Sequence, residues 1–374
     1  MKPIFTTIAC LFAAALSGHG LTPVVPKQQS THVIAASSET PDNPYLAFPA
    51  VLDVGREVLV SFKRGRSHGA DSDAALDYLR LDKNSSARLF RGALAALPGE
   101  IMQMGEWAIF PNGDIANYID AQHGNKPPLR SGLCVVRSTD GGRTFGPPQR
   151  VGPVEGVEYG YAFDAITRGK TTWMLAMTFA NLPGGKLVHK TGSKPGSVDV
   201  IRSDDNGLTW RFVRSITTEL DNAPINESAF VPYADGFIVA ARGYDNRQWL
   251  LRTDAQFKAL AKTDLTAAHK FITSHIGRPR LFQRDRSYYL LGRNWATKGV
   301  MQLALFKFDP VTLAISRHVI LDNAEGKPVG DGYYAQPYWQ ERDGQTRFHV
   351  ITYKRGESKT SDIIRLQFDW QEVR

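Results

Sequence analysis

Three short stretches of this chain hold side chains that could do chemistry together. The loop Arg64-Gly65-Arg66-Ser67-His68-Gly69-Ala70-Asp71 sets a carboxylic acid among glycines and arginines, with Asp73 just beyond. Asn226-Glu227-Ser228-Ala229-Phe230 opens an apolar run with one carboxylate, and the following run ends in Ala241-Arg242-Gly243. Gly332-Tyr333-Tyr334-Ala335-Gln336-Pro337 brings two phenols. A carboxylic acid can give up a proton, a carboxylate can draw one from a phenol so that its oxygen attacks, and an arginine fork can hold an anion. Taken singly, each stretch also reads as a solvated loop, a surface ion pair or a packed aromatic. Their use depends on elements that bring them to one place.

The bulk composition narrows those elements. With 374 residues, 42% hydrophobic and 22% charged, the chain has globular chemistry and enough apolar matter for a sizeable core. The formal net charge of +8 comes from scattered Lys and Arg, with no run of five, which speaks against a nucleic-acid partner and for a basic surface that attracts anionic glycans. Met1-Lys2, the apolar run Ile4 to Leu16 and the small residues Ser17, Gly18 and Gly20 read as a signal peptide over 1–20, too short for a membrane span. The expected product is a secreted or periplasmic monomer without membrane insertion. Its only cysteine, Cys134, permits no internal disulfide. The histidines at 68, 123, 189, 275 and 349 show no metal-ligand spacing, and neither a metal nor a cofactor is expected.

Residues 21–44, with four prolines among Ser, Thr and Gln, read as an extended leader; a single domain is expected over 45–374. Beyond the leader, strand-like runs such as Glu57 to Phe62, Leu133 to Arg137, Thr172 to Phe179, Gly236 to Ala241 and Arg347 to Tyr353 are bounded by turn residues. Ala93 to Leu97 and Asp264 to Lys270 are the only places that suggest a turn or two of helix. Ser138-Thr139-Asp140-Gly141-Gly142-Arg143-Thr144-Phe145 and Ser203-Asp204-Asp205-Asn206-Gly207-Leu208-Thr209-Trp210 both fit S-x-D-x-G-x-T-[FW]. Asp and Ser/Thr oxygens can cap such a turn and the aromatic can pack between strands, so Asp140 and Asp205 are expected to be structural. Both segments resemble the Asp-box of the sialidase superfamily. Together with weaker relatives at Asp82, Asp254 and Asp309 they recur every ~57 residues. The stretch from Val33 onward holds six such intervals, which predicts an all-β, six-bladed β-propeller whose last strand, Ile363 to Trp370, shares a blade with an N-terminal strand.

The resemblance implies roles for the reactive stretches. Asp71 would be the acid/base that protonates the leaving sugar oxygen, with Arg66 of the same loop a substrate-binding candidate. Tyr334, or Tyr333 as the alternative, would be the nucleophile, and Glu227 its base. Arg242 would hold the carboxylate of an acidic sugar. Sialidases with a tyrosine nucleophile depart from the paired-carboxylate scheme of most glycosidases. A neutral phenol avoids the repulsion that a carboxylate nucleophile would meet at an anomeric carbon bearing its own carboxylate. The implied activity is a retaining exo-α-sialidase-like hydrolysis of a glycan or glycoconjugate ending in an acidic sugar.

The chain also departs from that pattern. Sialidases carry a first clamp arginine in an Arg-Ile-Pro sequence; here the comparable stretch is Ala47-Phe48-Pro49. The glutamate that braces this arginine is replaced by Lys354, which is expected to supply the missing charge. For the third arginine the candidates are Lys298 and Arg293, with Arg278 and Arg280 as further options. Tyr161 and Trp295 are candidate cleft residues. The altered clamp leaves two other expectations open: a hydrolase or lyase for uronic-acid glycans, with His123, His189 or His275 beside a tyrosine and an arginine, or a glycan-binding propeller without turnover.

Overall fold

The computed structural model describes residues 21–69, 71–124, 129–179, 196–297, 299–356 and 359–374. These residues form strands almost throughout. The strand β1 (Ser30–Ala35) precedes blade 1, which is β2 (Tyr45–Asp53), β3 (Glu57–Gly65), β4 (Ala75–Asp82) and β5 (Arg88–Ala95). Blade 2 is β6 (Glu100–Ile109), β7 (Ile115–His123), β8 (Leu129–Ser138) and β9 (Gln149–Arg150); blade 3 is β10 (Tyr159–Arg168), β11 (Thr171–Thr178), β12 (Val198–Ser203) and β13 (Arg211–Ser215). Blade 4 is β14 (Ile225–Tyr233), β15 (Gly236–Gly243), β16 (Gln248–Thr253) and β17 (Ala259–Asp264); blade 5 is β18 (Gly277–Arg284), β19 (Ser287–Thr297), β20 (Val300–Phe308) and β21 (Ile315–Asp322). Blade 6 combines β22 (Asp331–Gly332), β23 (Gln336–Arg342), β24 (Gln345–Arg355) and β25 (Asp362–Asp369) with β1 as its outer strand. The result is a six-bladed β-propeller. Its ring closes through the antiparallel β1–β25 pair, Ser30 opposite Gln367, so residues 30–35, read from the sequence as leader, belong to the sheet.

Local chemistry explains the repeat. The five aspartates that recur in the sequence all sit at the turn between the third and fourth strands of blades 1 to 5. Asp140 accepts from the Arg143 and Thr144 N–H groups and the Thr144 hydroxyl, while Gly142 N–H donates to Ser138 Oγ. Asp205 repeats this with Thr209, and Gly207 N–H with Ser203 Oγ. Asp82, Asp254 and Asp309 cap shorter versions of the turn. Phe145 packs edge-on against Tyr78, and Trp210 against Tyr118, so each turn is tied to the core. Ala93 to Leu97, which suggested helix, lies mostly in β5, where pairing with β4 overrides alanine's local preference.

The first strands of blades 1 to 5 touch one another in succession around the axis, and β2 meets β23 and β24. Each first hairpin of blades 1 to 5 also slips register: between Ala47 and Ala50, Met102 and Met104, Tyr159 and Tyr161, Ile225 and Ser228, and Gly277 and Arg280. A bulge re-aims the side chains it contains. Phe48 and Arg278 take left-handed backbone there, φ 57° and 45°. Polar and charged groups therefore accumulate in the middle of an otherwise apolar molecule.

Candidate active site

Glu227 lies in the blade 4 bulge and is almost wholly buried. Its Oε1 accepts from the Tyr334 hydroxyl at 2.6 Å and the Tyr161 hydroxyl at 3.2 Å. Its Oε2 accepts from Arg242 Nη1 at 2.5 Å and from the Arg278 backbone N–H at 2.8 Å. Arg242 Nη1 also reaches the Tyr334 oxygen at 3.2 Å, and the Arg293 guanidinium lies 4.9 Å from the centre of the Tyr334 ring. Thr352 Oγ1 donates to the Tyr334 carbonyl at 3.0 Å, fixing the backbone that carries the phenol.

The charges set where the proton rests. Burial pushes the Glu227 carboxyl up, but the Arg242 and Arg278 charges and the Tyr334 hydrogen bond outweigh it and hold the group well below the usual carboxylate range. Burial and the Glu227 charge push the Tyr334 phenol above its ordinary value, against the pull of Arg242 and Arg293. The phenol thus keeps its proton at neutral pH, with the ionised carboxylate 2.6 Å away as its acceptor.

A second carboxylate organises the axis. Glu106 of β6 accepts from Arg278 Nη2 at 2.7 Å and Arg280 Nη2 at 2.5 Å, all three side chains being buried. Blades 2 and 5 stand opposite each other in the ring, so this ion pair spans the axis. Beside it, Arg130 makes a two-pronged contact with Asp120 and covers the Tyr161 ring at 4.8 Å.

Where the first clamp arginine was looked for, Ala47 is fully buried and aromatic rings fill the space. Phe48 contacts His68, Tyr334 and Tyr353 at centroid distances of 4.9, 5.5 and 5.3 Å. Behind them Asp331 accepts from the Tyr45 hydroxyl at 2.5 Å, the Tyr353 hydroxyl at 2.9 Å and His68 Nδ1 at 2.7 Å.

No family model matches the sequence, and no curated protein matches it. Solved structures do resemble it. A protein of unknown function from Dyadobacter fermentans superposes with a TM-score of 0.69 at 16% identity, covering 92% of this chain and 98% of that one. A mutant NanB sialidase from Streptococcus pneumoniae gives 0.61 at 10% identity, over 93% of this chain and 71% of that one. A Trypanosoma rangeli sialidase in complex with sialic acid gives 0.56 at 10% identity, over 94% of this chain and 58% of that one. The fold is that of a sialidase-like propeller.

Within this propeller the expected site residues divide. Glu227, Arg242 and Tyr334 come together, with Arg293 against them. Tyr333 does not join them: its hydroxyl donates to Asp322 at 2.7 Å, and its ring packs in the core between blades 5 and 6. Lys354 does not replace the missing arginine either. Successive residues of a strand face opposite ways, so with Tyr353 turned toward Phe48, Lys354 turns to Asp322, 2.8 Å away. Lys298 lies outside the described residues. Arg66 is 63% exposed and folds back on its own loop, donating to the Ser72 carbonyl. Asp71, expected as the proton donor, is tucked beneath the loop with its side chain 1% exposed. Asp73 accepts from Gly99 N–H at 2.8 Å. Tyr161 is buried under the site, not available as a sugar platform, and Trp295 lies beside Arg293.

Of the histidines looked for beside a tyrosine, His123 is exposed at the end of β7, His275 contacts Ser274, and His189 lies outside the described residues. The histidine at the tyrosine cluster is His68. Sequence reading passed over it, and over Asp331, Tyr45, Tyr353 and Glu106. Two signals were present: the lone glutamate in the apolar stretch Met104-Gly105-Glu106-Trp107, and prolines 49 and 279 inside strand-like runs, which mark bulges.

Proposed function

We propose that this propeller is an exported glycoside hydrolase that releases a terminal acidic sugar, sialic acid or a close relative, from glycans with retention of configuration. The observation that carries the reading is the 2.6 Å hydrogen bond from the Tyr334 phenol to an ionised Glu227, flanked by Arg242 and Arg293. In the first step Tyr334 Oη bonds to the anomeric carbon, its proton passes to Glu227 Oε1, and the glycosidic C–O bond breaks as an acid/base group of the protein gives the leaving oxygen a proton. In the second, water gives a proton to that same group as its oxygen bonds to the anomeric carbon, and the Tyr334 oxygen leaves and takes its proton back from Glu227. Arg242 and Arg293 stabilise the negative charge that grows on the phenol and face the carboxylate of the sugar.

The test is fluorogenic release by the purified protein from an α-sialoside, a β-glucuronide and a neutral galactoside. Release from the sialoside alone is expected, with kcat lowered ~10²–10⁴-fold in Tyr334→Phe and in Glu227→Gln. Cleavage of the glucuronide alone, or an unsaturated product absorbing in the ultraviolet, would replace this reading with one for uronic-acid glycans. Binding without turnover would make the protein a lectin.

A further inference from the structure

We infer that the proton donated to the departing sugar oxygen comes from His68, positioned by Asp331, and that Asp71 serves to shape the loop. This rests on the glycosidase reading above.

The loop after β3 holds both candidates. Asp71 is enclosed: its Oδ2 accepts from the Arg66 and Ser67 N–H groups at 2.7 and 3.2 Å and lies 3.6 Å from Lys63 Nζ, and its Oδ1 lies 3.4 Å from Arg66 Nε. Gly65 is needed for this arrangement, since a Cβ there would stand 2.0 Å from Asp71 Oδ2. A carboxylate surrounded by donors inside its own loop has no free face toward a substrate.

His68 is placed the opposite way. Its carbonyl is pinned by Gln103 Nε2 at 2.7 Å and Lys63 Nζ at 3.2 Å, while its side chain is 57% exposed. The ring stands edge-on to Phe48, and Phe48 in turn rests against Tyr334, so one ring separates the imidazole from the nucleophile. Nδ1 donates to Asp331 Oδ2 at 2.7 Å, which fixes the tautomer and leaves Nε2 as the nitrogen free to exchange a proton. The groups facing this dyad are the Tyr45 and Tyr353 phenols, Arg293 at 3.8 Å from Asp331, and Lys63 below the loop. Burial pushes the Asp331 carboxyl up, but the His68 contact and the Tyr45 and Tyr353 hydrogen bonds outweigh it and hold the group below the usual carboxylate range, a suitable counter-charge for an imidazolium.

In the first step the C–O bond breaks and its electron pair goes to the leaving oxygen, which takes the proton from Nε2 of the protonated imidazole. In the second, neutral Nε2 takes a proton from water as the water oxygen bonds to the anomeric carbon and the bond to Tyr334 breaks.

The experiment compares two sialosides with the same sugar: a nitrophenyl sialoside, whose leaving group departs without a proton, and sialyllactose, whose leaving group needs one. His68→Gln is expected to lose ~10²–10³-fold in kcat/KM on sialyllactose and under ~5-fold on the nitrophenyl sialoside. Asp331→Asn should shift the ratio of the two in the same direction, and Asp71→Asn should leave that ratio unchanged. Equal losses on both substrates in His68→Gln, or a selective loss on sialyllactose in Asp71→Asn, would overturn the assignment while leaving the glycosidase reading standing. Wild-type protein that cleaves neither substrate would bring down that reading, and this one with it.

Discussion

At the residue scale, the Tyr334–Glu227–Arg242 group works through opposed charge effects. Burial alone would raise Glu227 into the range where it binds a proton, and Arg242 is the first of the charges that prevent it. Replacing Arg242 by Gln removes that charge, so Glu227 should titrate at higher pH. In the proposed mechanism the base must be ionised to receive the phenol's proton, so the acid limb of kcat/KM should move upward in pH, as a pH profile of nitrophenyl sialoside cleavage would read. These three residues were legible because each sits in a short local pattern. Asp331 and His68 were not: they lie 263 positions apart, and nothing near either residue in sequence announces the other. Lys354 misled for a related reason. Its charge was visible, but the facing of β24, which turns it to Asp322, depends on pairing with β23 and β25.

At the element scale, the propeller was readable wherever structure is made locally. An aspartate capping a turn uses atoms within a few residues of itself, so five blade turns left a mark in the sequence. The bulges of the first hairpins left less, a proline in two of them and nothing diagnostic in the others. Blade packing also buries groups that gain little from it. His318 of β21 lies between Phe271 and Phe306, at centroid distances of 4.8 and 5.0 Å, and neither ring nitrogen has a hydrogen-bond partner among the described residues. Burial pushes its imidazole down to about 4. The unfolded chain, with an ordinary histidine near ~6.5, binds this proton first, so the residue subtracts stability as pH falls from ~6.5 toward ~4. His318→Phe should therefore raise the unfolding free energy by ~1–3 kcal/mol, with a larger gain at pH 5 than at pH 8 in paired thermal melts.

At the scale of the whole molecule, the ion pair of Glu106 with Arg278 and Arg280 ties opposite blades across the axis. Two buried guanidinium groups share that carboxylate, with Asp164 3.8 Å from Arg280 as a weaker second partner, and Glu106→Gln should cost ~3–5 kcal/mol by removing the carboxylate that both of them bond. Urea unfolding would read this as a lowered midpoint with an unchanged slope. The β1–β25 seam sets a different condition, one of timing. Synthesis makes β1 before any blade exists and β25 after all the others, so the first strand made must wait for the last. Blades 1 to 5 can pair as they emerge, each from neighbouring residues, but the join of Ser30 to Gln367 closes a loop spanning nearly the whole chain and has to be among the late events of folding. Until then β1 and the outermost strand of blade 6 yet formed, β24 or β25, carry open edges that could pair with another molecule. A chain cut short before Asp362 would keep those edges permanently, whatever the condition of its reactive residues.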